Sequence, residues 1–195
     1  MTLNDFSDKY FDQNDFLDSR DRDKLLELVQ FVTIPKDKIL LHRGEQIKQV
    51  GIILKGLIRV YNKDNRTVWF VQSNGIYGSI DTLALNRASS LTFETLEETS
   101  MFLLNYDDLE EAIISYPNIA SLLLMYWKRT AVEIYRNFYT SLSLSPEEKY
   151  LEILQKNPQL ILNVKSKDLA SYLGIHPTSL SRLKKRYFVS KENKT

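Results

Sequence analysis

Near Tyr106 the sequence changes its period, and that one change limits the chain to a β unit followed by a helical one. From Val32 to Tyr106, apolar runs of four to seven residues rich in Ile, Val, Phe and Thr alternate with glycine or charged turns. Runs of this length and composition read as short strands joined by tight turns. The candidate strands are residues 39–42, 49–55, 57–62, 67–72, 90–96 and 100–105, separated by Gly44, Gly56, Asp64 with Asn65, and Gly75. Strands so spaced suit an antiparallel, jelly-roll-like barrel. Ahead of them, Leu25, Leu26, Leu28 and Val29 suit a lead-in helix over 23–31.

Beyond Tyr106 the strand pattern stops. Asp107, Asp108, Glu110 and Glu111 place negative charge in the first turn of a helix, where the macrodipole favours it. Pro117 starts a longer one. Residues 118–144 hold no glycine or proline, and Ile119, Leu122, Leu123, Tyr126, Thr130, Ile134 and Phe138 recur at three and four residues. Roughly 25 residues at 1.5 Å each span about 40 Å, longer than such a barrel can cover, so this helix is expected to dimerise. Tyr126, Trp127 and Tyr135 fit interface packing better than a ligand cage, and Val50, Ile52, Phe70 and Val71 fit the barrel interior better than a cavity lining, with both alternatives open from sequence. A hinge over 141–145 leads to a further helix over 146–154, capped by Ser145 with Pro146 at its first position.

The segment 165–194 reads as a helix-turn-helix. Ser166 can cap a short helix whose apolar positions are Leu169, Ala170 and Leu173. Gly174 supplies the positive φ of the turn, and His176 or Pro177 opens the second helix. Leu180 and Leu183 then point inward. Thr178, Ser179, Ser181, Arg182, Lys184, Lys185 and Arg186 are left outward, the polar, cationic surface that a major-groove helix presents. Residues 163–195 hold eight Lys or Arg against two Asp or Glu, leaving the rest of the chain acidic. This asymmetry favours a nucleic-acid partner at the C-terminal end.

Composition removes other classes. The chain has no cysteine and two distant histidines, His42 and His176, which excludes disulfides, thiolate zinc sites and a His-rich metal site. An enzyme on a cupin-like barrel needs His and Glu ligands clustered on neighbouring strands, and the barrel holds only His42, so the chain reads as a non-enzyme. No apolar run approaches the roughly 18 residues that span a bilayer, and residues 4–23 lack a signal peptide's apolar region. A cytoplasmic protein without a membrane partner is the expectation.

This order of units resembles the Crp/Fnr family of bacterial transcription regulators (cAMP receptor protein and fumarate–nitrate regulator) from about Leu25 to Arg186. Leu41, His42, Arg43, Gly44, Glu45 and then Ile53 to Val60 are similar to the family's paired glycine turns. Asp168, Leu169, Ala170, Leu173, Gly174, Ile175, Leu180, Ser181 and Arg182 are similar to its helix-turn-helix. The resemblance implies an α+β fold: a cyclic-nucleotide-binding-like β-roll (jelly roll), a long dimerisation helix, and a C-terminal helix-turn-helix whose wing is reduced or absent. The corresponding division is 1–117, 118–144 and 145–195.

In cyclic-nucleotide-binding relatives, a glycine turn and a glutamate hold the ribose and an arginine pairs with the cyclic phosphate. Here the matching stretch, Gly75 to Asp81, has Ser79 where the glutamate is expected. Arg87 stands two or three residues ahead of Ser89 and Ser90, near which the phosphate arginine belongs. A serine offers one neutral hydrogen bond in place of a charged fork. The effector pocket is therefore placed at Gly78, Ser79, Asp81, Arg87, Ser89 and Ser90, with no resident cofactor and an effector other than cAMP. Base reading is assigned to His176, Pro177, Thr178, Ser181 and Arg182, with Arg182 on guanine. Phosphate contact is assigned to Lys165, Ser166, Lys167, Ser179, Lys184, Lys185, Arg186 and Lys191. The implied partners are double-stranded DNA bearing a near-palindromic site, a second copy of the chain, and RNA polymerase. The alternative is a signalling or scaffold subunit of the same fold without specific DNA binding.

Overall fold

The computed structural model describes residues 16–192, with side chains through Tyr187. Eight strands form two four-stranded antiparallel sheets: β1 (Gln30–Ile34), β2 (Ile39–Leu41), β3 (Gln49–Lys55), β4 (Leu57–Tyr61), β5 (Thr67–Gln72), β6 (Ile76–Tyr77), β7 (Thr92–Thr95) and β8 (Thr99–Asn105). One sheet runs β1-β8-β3-β6 and the other β2-β7-β4-β5. The six expected strands are present, their ends moved by two residues at most.

Two strands escape the pattern. β6 has two residues, too few to show a period. β1 begins at residues 30 and 31, the end of the expected lead-in helix, which instead runs earlier, as α1 (Ser19–Leu28). A capping box sets that start: the Asp18 carboxylate accepts the Asp21 N–H at 2.8 Å, and Asp21 accepts the Asp18 N–H at 3.0 Å. Val29 is already extended, so the chain turns into β1 where an apolar count alone would continue the helix.

Alternation along the strands separates three apolar cores. Between the sheets lie Leu41, Ile53, Ile58, Val60, Val71, Tyr77, Phe93 and Met101. The outer face of the first sheet, through Phe102, packs with α1, α3 (Tyr106–Ser115) and the start of α4 (Pro117–Ser143). The outer face of the second, through Leu57 and Phe70, joins the core of the C-terminal helices.

Those helices are α5 (Pro146–Lys156), α6 (Pro158–Asn163), α7 (Ser166–Leu173) and α8 (Pro177–Glu192); a short α2 (Ile80–Leu85) lies between β6 and β7. Ser145 caps α5 as expected, its Oγ accepting the Glu148 N–H at 3.3 Å while Glu148 accepts the Ser145 N–H at 2.7 Å. Ser166, expected to cap α7, is its first helical residue instead. Lys165 holds the cap position, without a side-chain bond, and its carbonyl accepts from Asp168 and Leu169. The expectation followed the side-chain preference of caps, whereas the extended backbone of Lys165 fixes the boundary one residue earlier. In α4, Ile119 is buried, but Leu124, Val132, Tyr135, Phe138, Tyr139 and Leu142 are exposed, Leu142 at 71%. No described helix is long and apolar enough to cross a membrane.

The β3–β4 turn depends on Gly56, at φ +120°, where an added β-carbon would lie 2.4 Å from Thr99 Oγ1 and 2.7 Å from Thr99 Cα. Gly56→Ala is expected to destabilise the fold by about 2 kcal/mol or more. Its denaturant midpoint should fall; an unchanged midpoint would contradict this role.

Candidate nucleic-acid interface and effector cavity

α7 ends on Gly174 at φ +74°, whose N–H returns to the Ala170 and Ser171 carbonyls, and α8 begins at Pro177. Leu169, Ala170, Leu173, Leu180 and Leu183 are buried between the two helices and against Tyr150, Leu160, Ile161 and Val164. This leaves His176, Pro177, Thr178, Ser179, Ser181, Arg182, Lys185 and Arg186 exposed. Four of the five residues assigned to base reading therefore share the solvent-facing start of α8, with His176 exposed immediately before it. His176 Nδ1 accepts the Thr178 N–H at 3.4 Å and lies 2.9 Å from Thr178 Oγ1, so these two side chains are oriented by each other.

The phosphate candidates divide. Ser166, Lys167 and Lys185 are exposed. Lys165 Nζ lies 3.2 Å from Asp37 on the β-roll. Arg186 Nη1 donates to both Glu147 oxygens at 2.9 and 3.0 Å, and the Tyr187 hydroxyl donates to Glu147 at 2.5 Å. These bonds, with Tyr187 foremost, hold the Glu147 carboxyl below the usual carboxylate range. Lys184 is half-buried, and burial pushes its ammonium pKa down. Lys191 lies outside the residues whose side chains are described.

One buried arginine joins this unit to the β-roll. Arg59, 4% exposed on β4, aims its Nη2 at Asp168 of α7, 3.3 Å away, and at the Asn65 carbonyl at 2.8 Å. Its Nε donates to Thr67 Oγ1 at 2.8 Å, Nη1 lies 3.7 Å from Glu94, and the guanidinium covers the Tyr61 ring at 4.4 Å. Around it, the Thr67 N–H donates to Ser171 Oγ at 3.0 Å and Asn163 donates to Glu97 at 2.7 Å. Asn157 donates to Gln72, and Phe70 meets the Tyr172 ring at 5.3 Å. The assignments above gave neither Arg59 nor Asp168 a role of its own. The available signal was an arginine inside the apolar run Leu57, Ile58, Arg59, Val60, which has to be paired if the strand is buried.

Register neighbours of these residues face the other way. Val60, Trp69, Val71 and Phe93 line a cavity of ≈ 200 Å³ that Leu123, Tyr126, Trp127 and Thr130 of α4 also line. Gly78, Ser79, Asp81 and Ser90 of the assigned pocket also line it, whereas Arg87 and Ser89 do not. Ser89 is buried under its own bond to the Leu91 carbonyl at 2.8 Å, and Arg87 is exposed. Of the residues given to the barrel interior, Val50 and Val71 reach the cavity, but Phe70 faces α7. Tyr126 and Trp127 line it too, while Tyr135 is 66% exposed.

Among the described residues, no lysine or arginine lines this cavity, and its charged members are Asp81 and Glu133. Asp81 Oδ2 accepts both the Ser90 N–H at 2.8 Å and the Ser90 hydroxyl at 2.6 Å. The two bonds from Ser90 hold the Asp81 carboxyl below its usual range. Both donors of Ser90 are thus taken by the chain's own carboxylate.

Residues 31–116 match the cyclic nucleotide-binding domain family. No curated protein matches the chain by sequence. Among solved structures, FixK2 from Bradyrhizobium japonicum superposes with a TM-score of 0.68 at 20% identity, over 84% of this chain and 86% of that one. CLP from Xanthomonas campestris, described as a c-di-GMP responsive global regulator, gives 0.68 at 14% identity, over 89% and 93%. A putative transcriptional regulator of the Crp/Fnr family from Eubacterium rectale gives 0.66 at 10% identity, over 90% and 86%.

Arg59→Ala strands the Asp168 carboxylate without its cation in a buried site and is expected to cost about 3–5 kcal/mol of stability. Asp168→Ala should cost less, since Arg59 keeps Glu94 and its two neutral acceptors. Denaturant unfolding of the two variants checks the order; equal and negligible losses would contradict it.

Proposed function

For a chain that carries a cyclic nucleotide-binding domain on the fold of the Crp/Fnr regulators, we propose the function of a dimeric DNA-binding transcription regulator gated by a small effector. The observation that carries this reading is the exposed start of α8, where Thr178, Ser181 and Arg182 stand clear of the packed Leu180 and Leu183. A helix so presented fits the major groove, with Arg182 on the O6 and N7 of guanine. Lys167, Lys185 and Ser166 contact phosphate beside it. The apolar face of α4 beyond the β-roll, from Leu124 to Leu142, pairs with the same face of a second copy. This pairing sets two α8 helices on a near-palindromic site with half-sites about one DNA turn apart.

The effector is a compact, largely apolar molecule without a phosphate. A cavity of ≈ 200 Å³ walled by Trp69, Trp127, Tyr126 and Phe93 favours an apolar body. Among the described residues its charged members are carboxylates, so a cyclic nucleotide would meet repulsion in place of a cationic partner.

Selection from random duplexes tests the reading. The chain is expected to enrich a two-fold symmetric motif, with no change on adding cAMP. Arg182→Ala should relax specificity at one base pair per half-site, at a cost of about 1–3 kcal/mol. Leu142→Glu with Phe138→Glu should yield a monomer in sedimentation and weaken binding to the full site more than to a half-site. Failure to enrich any motif would overturn the DNA-reading function and leave the scaffold alternative.

A further inference from the structure

Among the described residues, the C-terminal helices carry no strand, so no hairpin of their own flanks α8 there. Another hairpin does. The β4–β5 turn of the β-roll, residues 62–66, projects beside the helix-turn-helix turn: a β-carbon on Gly174 would lie 3.9 Å from Arg66 Nη2. Lys63 and Arg66 are exposed, and neither side chain has a hydrogen bond or ion pair among the described residues. We propose that this turn is a second DNA-contacting element, in which Arg66 and Lys63 grip the phosphate backbone next to the α8 start, in the manner of a wing borrowed from the effector domain. The proposal rests on the DNA-binding reading above.

Placement and rigidity carry it. Exposed cations are ordinarily solvated and contribute nothing specific, because their tethers move. The backbone that carries these two cations is fixed at both ends. Within the turn, Asn62 Oδ1 accepts the N–H of Asp64 at 3.1 Å and of Arg66 at 2.9 Å, while the Asn62 N–H donates to the Arg66 carbonyl at 3.0 Å. Beneath it, Arg59 holds the Asn65 carbonyl and Asp168 at once, and the Thr67 N–H donates to Ser171 on α7. The backbone of the turn is therefore anchored to α7, the helix before α8, and carries Lys63 and Arg66 at fixed positions along it.

Need points the same way. Two cations of the C-terminal unit already have partners within the chain, Lys165 with Asp37 and Arg186 with Glu147, and Lys184 is half-buried. Lys63 and Arg66 extend the cationic surface left by Lys167, Arg182 and Lys185, against one acid in the turn, Asp64. The ligand chemistry is that of a phosphodiester backbone: contacts that add affinity and salt dependence without reading sequence.

The test uses the full chain and the duplex that it selects from a random pool. Lys63→Ala with Arg66→Ala is expected to weaken binding on the order of tenfold at physiological salt and to flatten the log–log salt slope by about one to two, with the selected motif unchanged. Arg66→Lys should restore part of the slope, and thermal unfolding of each variant should match the parent. Parental affinity and slope in the double variant would overturn the inference while leaving DNA reading intact. A parent chain that retains no duplex at any salt would instead remove the DNA reading, and this inference with it.

Discussion

The buried guanidinium of Arg59 is the constraint on which the arrangement of the two halves depends. It lies among four acceptors from four parts of the chain: Asn65 in the turn, Thr67 on β5, Glu94 on β7 and Asp168 on α7. A charge this deep is costly unless every direction of its fork is met, and replacing such a pair by apolar residues is often no worse for stability. What an ion pair adds is geometry, since a planar fork satisfied from several directions admits few orientations. Phe70 on Tyr172 and Leu57 in the helical core supply apolar adhesion, and Arg59 sets the angle at which it is used.

The same strand pair serves two sites. Residues 59 and 70 are register partners, as are 60 and 69. The first pair faces α7 and the second lines the cavity, a direct result of the two-residue period of a strand. A ligand pressing on Trp69 and Val60 therefore acts on the backbone that carries Arg59 and Phe70. One sheet's thickness separates the cavity from the face that meets α7.

Much of this was legible in the sequence, and the parts that were not share a cause. The strand periods, the Gly174 turn, the Ser145 cap and the long glycine-free helix are local signals, and each reappears with small shifts. Gly78, Ser79, Asp81 and Ser90 gather at one cavity, whereas Ser89 is turned to its own Leu91 carbonyl bond and Arg87 is exposed after the left-handed Asn86 that ends α2. α6 went unread, its six residues being too few to show a helical period. The fate of Lys165, Arg186 and Phe70 was not legible either: each is decided by a partner between 39 and 128 positions away or on another element. Arg59 is the instructive case, since its identity announced a need for partners and only the fold could say which.

Hydroxyl-radical footprinting of the chain on its selected duplex tests the central claim most directly. Two α8 helices carried by a symmetric pair of chains predict two protected half-sites related by a dyad and centred about one helical turn apart. A single protected segment, or protection without a dyad, would contradict the account.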